Sequence, residues 1–507
     1  MTSMVAMSKQ QPVATGKVYL VGAGPGAPGL ITLRGVECLA RADVVLYDYL
    51  VNPRILQHAP AGAERICLGQ HGRTRLWSQA EINAALVRYA GEGKTVVRLK
   101  GGDPAIFARG AEETETLCRH GIDYEIVPGI TAALAAGSYA GVPITHRDHA
   151  SAVAIVTGQE ADDKAGLALD YGYLAQFPGT LVVYMGVTTA PEWTRALIEA
   201  GKSSDTPAMV VRRCSFPDQT TWRCTLDEVA GRLESLRPPV IVIVGPVAAV
   251  SASGSWFEQR PLFGQTVLVT RPAHQAGELV EQLEERGASV LLQPAIAVRE
   301  PRSWEQVDSV LARLHMFDWL VFSSVNGVHA LLGRLAAMGR DLRALAGVRL
   351  AGIGPATVAA LAEYHLRADL QPERYQAEDL ADALAPDAAG RRFLLARASR
   401  GREVLGERLR EAGGTVEQIV VYESIDVTQP DPDVALQLRE GRIDWTTVTS
   451  SAIARSLWAL FGDALQQTRL VSISPVTTAT LRELGLEPAA EAAEATLPGV
   501  VDALCHR

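Results

Sequence analysis

Residues 18–33 read VYLVGAGPGAPGLITL, an apolar β-type run that passes into a loop dense in glycine and proline and then back to apolar residues. Such a loop lets backbone amides approach a ligand closely, because glycine places no Cβ in the way. Gly24, Gly26 and Gly29 satisfy the pattern G-x-G-x-x-G, and Asp48 lies at about the spacing of a ribose-binding acid, which would read as a dinucleotide site. Pro25 and Pro28 weigh against that, since they stand where such a loop offers N–H donors to a pyrophosphate. A tight structural turn fits the loop equally well.

The same texture continues outward. Short β-branched runs (ADVVLYD, KTVVRLK, SAVAIVTG, GTLVVYMG, TPAMVV, PPVIVIVG) alternate with helical patterns, which is the signature of an α/β fold. In SQAEINAALVRYA, Ser78 and Glu81 have capping-box spacing and predict a helix start just before Ile82, Ala85 and Leu86 fall on one face. After Val244 the pattern lapses into a small-residue stretch, GPVAAVSASGSWFEQRPLFG, so the expected division is a mobile tail over 1–15, a domain over 16–250, a linker over 251–263 and a second domain over 264–507.

The second domain is internally duplicated. GQTVLVTRPAHQAGELVEQLEERGASV from Gly264 matches GRRFLLARASRGREVLGERLREAGGTV from Gly390, and DWLVFSSVNGVHALL from Asp318 matches DWTTVTSSAIARSLW from Asp444. VRLAGIGPATVAALAEYHL from Val348 matches TRLVSISPVTTATLRELGL from Thr468 at a slightly different offset. Arg271 thereby faces Arg397, and Ser323 faces Thr449. Each block reads strand, turn, helix, so two similar α/β lobes with a ligand cleft between them are expected.

A chain of 507 residues exceeds what one core usually serves, and 48% hydrophobic with 21% charged residues is ordinary globular composition. A net charge of -9 argues against nucleic acid or an anionic membrane as partner. The six cysteines are scattered without a C-x-x-C, pointing to reduced thiols in the cytoplasm, and no apolar run approaches a membrane span. His146 and His149 form an isolated H-x-x-H without further ligands, so no metal is expected.

Five ordered blocks carry a resemblance in the first domain: GAGPG, DVVLYD, VVRLKGGDP with FARGAEE, VPGITAA with AGVPITHRD, and LVVYMG. Over residues 16 to 250 the chain resembles the tetrapyrrole methylases, most closely the uroporphyrinogen-III C-methyltransferases. The resemblance implies two lobes holding S-adenosylmethionine, contacted by Pro25, Gly101, Gly102, Asp103, Ile106, Thr131, Ala132 and Met185. Each of these also has an ordinary structural reading as turn glycine, helix cap or core residue. It further implies Asp48 as proton acceptor, although a strand-end acid facing water is the plain alternative, and it implies a homodimer through this domain. Because uroporphyrinogen carries acetates and propionates, guanidinium forks are expected, and Arg109 and Arg147 are the candidates; either would otherwise be a surface ion pair. Three positions depart from the family pattern: Ala27 replaces an aspartate, Gln70 a lysine proposed as proton donor, and Cys214 a glycine. They leave open a half that only binds tetrapyrrole, or one that methylates another precorrin.

From 264 onward, VLVTRP, FSSVNGV, GIGPATVAAL, VVYES, TVTSS and ISPVTTATL resemble uroporphyrinogen-III synthase. That resemblance places the first and last two blocks in one lobe and the middle three in the other, joined by two strands near 294–300 and 420–426. FSSVNG and TVTSSA set hydroxyls at strand-to-helix turns, where they can bind carboxylates or simply cap helices. Ser323, Ser324, Asn326, Thr449, Ser450 and Ser451 are thus candidate ligands of the linear hydroxymethylbilane, Arg271 is a further candidate, and the resemblance also points to Thr477. The resemblance implies that Tyr422 helps the departing hydroxyl leave before ring closure. The expected whole is a bifunctional enzyme that closes hydroxymethylbilane to uroporphyrinogen III and methylates it twice to precorrin-2, for either siroheme or cobalamin.

Overall fold

The computed structural model describes residues 16–69, 75–160, 169–250, 254–401 and 403–506. Gln70 and the expected tail over 1–15 lie outside the described residues. The chain divides into two compact units, 1–265 with 284–289, and 266–283 with 290–507. Among the described residues no helix is long and apolar enough to cross a membrane.

The first lobe of the first unit is a parallel sheet in the order Glu64–Cys67, Val44–Tyr47, Val96–Lys100, Lys17–Gly22, Asp123–Val127. A parallel sheet is covered by helices on both faces, so its middle strands are buried throughout, and all five residues of Val96–Lys100 are. The helix Gln79–Gly91 begins at the capping box read from sequence: Glu81 N donates to Ser78 Oγ at 3.3 Å, and Ser78 N donates to Glu81 Oε2 at 2.8 Å. Its apolar face, Ile82, Ala85, Leu86 and Tyr89, packs under the sheet. The second lobe is a mixed sheet, Val153–Thr157, Thr180–Tyr184, Val240–Val244, Pro207–Arg212, Thr220–Thr225, in which only the first pair is parallel.

Residues 254–263, expected as linker, turn back onto this lobe instead. Ser255 Oγ donates to Tyr139 O at 2.6 Å, Phe257 is buried, and the rings of Trp256 and Phe257 lie 5.3 and 4.8 Å from Tyr139. Three aromatics within eight residues, Trp256, Phe257 and Phe263, outweigh the small-residue composition that precedes them.

The second unit holds two sheets. The third lobe runs Ser289–Leu292, Thr266–Val269, Trp445–Val448, Arg469–Ser472, Ala490–Glu491; the fourth runs Ile296–Arg299, Thr415–Asp426, Arg392–Ala398, Trp319–Phe322, Arg349–Gly352. Each lobe therefore contains one copy of every duplicated block, but the third is assembled from the beginning and end of the unit and the fourth from its middle. Local bonding repeats as well. Asp318 accepts from Arg392 N at 2.8 Å, and its duplicate Asp444 accepts from Thr266 N at 2.7 Å. Ser324 and Ser450 both N-cap their helices, at 3.1 and 3.2 Å. The strand Ile296–Arg299 runs antiparallel to the end of Thr415–Asp426, where the chain passes between lobes.

At the ends of three neighbouring strands of the first lobe, backbones meet with nothing between them. A Cβ on Gly129 would stand 2.2 Å from the Gly102 carbonyl oxygen, and one on Gly22 would stand 2.6 Å from Gly129 Cα. Gly129→Ala should therefore cost about 1–3 kcal/mol, the range for overpacking a filled site, and lower the first unit's thermal transition in calorimetry by several degrees.

Candidate functional sites

The loops that follow the first lobe's strands converge on one edge. Gly24 and Gly102 form a two-way bridge: Gly102 N donates to Gly24 O at 2.8 Å, and Gly24 N to Gly102 O at 3.2 Å. Asp103 locks this loop to its neighbour, accepting from Gly129 N at 2.9 Å and from Ala105 N at 2.7 Å. Both of its oxygens thus serve the backbone. The glycine-proline loop is held from outside, since Asn52 Nδ2 donates to Gly26 O at 2.9 Å and Ala27 N donates to Ser215 Oγ at 3.0 Å. Pro25 is half-buried within it.

Thr131 and Ala132 stand at the start of the helix Ala132–Ala140, and Met185 follows the second lobe's strand Thr180–Tyr184. Tyr184 binds both sides: its hydroxyl accepts from Ala133 N and pairs with Thr131 Oγ1, each at 2.6 Å, while its ring lies 5.3 Å from Phe107. Burial pushes the Tyr184 phenol up, so it stays protonated. Phe107 (φ 50°), Arg109 (φ 54°) and Met185 (φ 52°) all adopt the left-handed backbone region without being glycine. Such conformations persist only where surroundings impose them, and they gather at functional sites. Phe107 and Met185 are 43% and 47% exposed, a large apolar outlay at a loop edge. A Cβ at Gly101 would meet nothing closer than Leu50 Cβ at 3.6 Å, so the protein's own packing does not require glycine there. The open space beside it and the apolar rim fit a flat, partly apolar ligand such as a nucleoside. Ile106 is half-buried in the same turn.

Asp48 follows the strand Val44–Tyr47 and does not simply face water. Its Oδ1 accepts from Arg98 Nη2 at 2.6 Å, and its Oδ2 lies 3.4 Å from Gly101 N. Behind it runs a charge network absent from the sequence-based assignment. Glu113 Oε1 takes Lys100 Nζ at 2.7 Å and Arg98 Nε at 3.1 Å, while Glu113 and Lys100 are at most 1% exposed. Burial and the adjacent Arg98 lower the Lys100 pKa, whereas Arg98 overcomes its own burial through Asp48 and Glu113 and is raised. The clue was available: two cations on one face of a central parallel strand have to be paired.

Other candidates sit differently. Arg109 forks onto Glu112 at 2.7 and 2.6 Å, so an incoming carboxylate would have to displace that acid; Arg147 is exposed. Cys214 is buried in the second lobe's core, where burial pushes its thiol up to about 12. The rings of His146 and His149 lie 4.7 Å apart, and among the described residues no three His, Cys, Asp or Glu gather as metal ligands.

In the second unit, a cavity of about 240 Å³ opens at the carboxyl ends of the fourth lobe's strands, lined by Ser323, Ser324, Arg397, Arg400, Gln418 and Tyr422 among others. Tyr422 is nearly buried, with its hydroxyl 3.0 Å from Ser324 Oγ. A bulge between Arg397 and Ala398 shifts the register where Tyr422 pairs. Asn326 does not point freely into space; it accepts from Gln275 Nε2 at 2.7 Å and lies 3.1 Å from His274 Nε2, both in the third lobe. There, Ser450 caps its helix, Ser451 Oγ accepts from Thr480 at 2.9 Å, and Thr477 is buried 3.2 Å from Ser474 Oγ.

Comparison with known proteins agrees with this two-part organisation. Residues 17–230 match the family described as Tetrapyrrole (Corrin/Porphyrin) Methylases, and residues 277–502 the family described as Uroporphyrinogen-III synthase HemD. The porphyrin biosynthesis protein HemD of Ruminiclostridium josui is 34% identical over 494 residues, covering 96% of this chain and 97% of its own. The uroporphyrinogen-III C-methyltransferase of Bacillus subtilis (strain 168) is 38% identical over 332 residues, 65% of this chain and 68% of its own. Among solved structures, the uroporphyrin-III C-methyltransferase of Thermus thermophilus complexed with S-adenyl homocysteine is 42% identical and covers 46% of this chain and 100% of its own, with a TM-score of 0.41. A relative matched along nearly all of both chains, with the two domain families in the same order, shows that this protein belongs to the bifunctional tetrapyrrole-biosynthesis family that joins a uroporphyrinogen-III C-methyltransferase to a uroporphyrinogen-III synthase.

Proposed function

We propose that the second unit closes hydroxymethylbilane to uroporphyrinogen III and that the first methylates this macrocycle twice, giving precorrin-2. The observation that carries the methyltransferase reading is Asp48, held by Arg98 beside the Gly101 amide at the rim of the glycine cradle. S-adenosylmethionine supplies an electrophilic methyl group when bound. Pro25, Gly101, Gly102, Asp103, Ile106, Thr131, Ala132 and Met185 would hold it, the glycines by giving it room and Met185 by an adaptable apolar contact. Arg98 fixes one Asp48 oxygen; the 3.4 Å contact at the other is too long to saturate it, which leaves a lone pair for the proton that the methylated ring must lose. Orientation of the pyrrole carbon supplies the rest of the rate, up to about 7–11 kcal/mol. Arg109 and Arg147, on the open rim, are the proposed partners of substrate carboxylates.

In the second unit Ser324 Oγ accepts from Gly327 N. With its own proton given to Tyr422, the phenol proton is free to assist the departing hydroxyl. Ser323, Asn326, Thr449, Ser450, Ser451, Thr477 and Arg271 are proposed to hold the bilane's acidic arms. The reading includes a homodimer through the first unit, supported by the exposed apolar Ile130 and Leu134, and a cytoplasmic location, supported by cysteines scattered along the sequence without a C-x-x-C.

Purified protein given uroporphyrinogen III and S-adenosylmethionine should gain two methyl groups by mass spectrometry; no gain would refute the methyltransferase reading. Asp48→Asn keeps the shape but removes the proton acceptor, and should slow methyl transfer by about 10²–10⁴ while bilane closure continues at the normal rate. Tyr422→Phe should slow ring closure by about 10² or more, with methyl transfer to added uroporphyrinogen III unaffected; a normal closure rate would exclude the phenol from catalysis.

A further inference from the structure

The internal duplication supplies a comparison within one molecule. The parallel pairings Leu268↔Thr446 and Phe322↔Ala396, carried forward, set Arg271 beside Thr449 in the third lobe and Arg397 beside Ser323 in the fourth. Both pairs stand at the carboxyl ends of adjacent parallel strands, which is where open α/β sheets bind ligands.

The two arginines are satisfied unequally. Arg397 is closed within its own lobe: Nη1 binds Glu403 and, at 2.7 Å, Gln418 Oε1, and Nη2 binds Gly401 O at 3.1 Å. Arg271 has no carboxylate partner among the described residues. Its one hydrogen bond there is a 3.5 Å contact from Nη2 to Gln275 Oε1, and its Nε is buried with no partner. Thr449 Oγ1, abreast of it, is likewise buried with no partner. The surrounding hydroxyls do find partners, Thr270 on Thr447 O, Thr447 on Leu268 O and Ser450 on Ile453 N. Two buried donors without partners at the ends of adjacent strands are costly unless something else satisfies them, and a buried guanidinium more so. Burial already works against the charge of Arg271, and Glu278 opposes it only at a distance. The helix Ser451–Phe461 also begins at this edge, adding its amino-terminal amides.

We propose that Arg271 and Thr449 form a receptor for one carboxylate arm of the linear tetrapyrrole, and that in the duplicate lobe Glu403 occupies the corresponding position. This rests on the synthase reading of the second unit. The duplicated unit then grips its substrate asymmetrically: one lobe offers an open cationic fork, the other a guanidinium already neutralised, so only one orientation of the bilane places an acid on Arg271.

The test is steady-state closure of hydroxymethylbilane by the full chain. Arg271→Ala should raise KM about tenfold or more while kcat stays within about threefold, the signature of lost ground-state binding. Arg271→Lys should recover part of that loss, since an ammonium keeps the charge and loses the fork. Thr449→Val, which preserves shape, should raise KM several-fold and gives a reading even where the arginine variants fold poorly. Wild-type KM in Arg271→Ala and Thr449→Val would overturn the proposal while leaving the synthase assignment intact; an unsubstituted chain that fails to close the bilane would instead remove the assignment beneath it.

Discussion

Backbones can touch only where no side chain stands between them, and the glycine-rich edge of the first lobe depends on that exclusion. Gly22 ends the strand that lies between Val96–Lys100 and Asp123–Val127, while Gly102 and Gly129 begin the loops after those two neighbours. Because all three lack a Cβ, the flanking loops fold over the middle strand until Asp103 can reach the Gly129 amide at 2.9 Å. Gly102, at φ +70°, also occupies backbone space that a side chain would strain. The edge is thus held by the protein's own backbone contacts and hydrogen bonds.

Behind this edge, electrostatics take over from packing. Arg98 and Lys100 point to one face of a wholly buried strand, and Glu113 and Asp48 answer them, two cations against two anions. Charges so deep are unfavourable unless each is paired. Pairing leads the chain of contacts outward to Asp48, whose side chain keeps 32% of its surface in solvent. A core constraint thereby fixes the orientation of the Asp48 carboxylate beside Gly101. Asp103, by contrast, spends its hydrogen bonds on loop geometry, holding the Ala105 and Gly129 amides.

In the second unit the same strand-turn-helix block has been used twice and then differentiated. Asp318 and Asp444 tie equivalent strands together, and Ser324 and Ser450 cap equivalent helices. What diverged lies at the strand ends. The fourth lobe placed Tyr422 on a bulge against Ser324 and closed Arg397 onto Glu403; the third left Arg271 Nε and Thr449 Oγ1 without partners among the described residues. Asn326, accepting from Gln275 and approached by His274, links the two lobes across the gap between their sheets.

Much of this was legible in the residues. Period and glycine placement marked the α/β texture, the Ser78 capping box marked its helix, and the matched blocks marked two similar lobes, because local propensity and repetition are properties of sequence neighbours. The packing of residues 254–263 was not legible: Trp256 and Phe257 pack on Tyr139, more than a hundred residues away, and composition carries no record of a partner so remote. The Arg98, Lys100 and Glu113 network went unassigned for the same reason, although cations in a buried strand were a usable sign. Equivalent positions in the duplicated blocks looked interchangeable, yet Arg397 is neutralised and Arg271 is not. The sequence by itself determined which elements form and which families they resemble, since those follow from short-range pattern; only tertiary structure decided which charges are paired and which buried donors stay open, since that depends on groups far apart in the chain meeting where water is excluded.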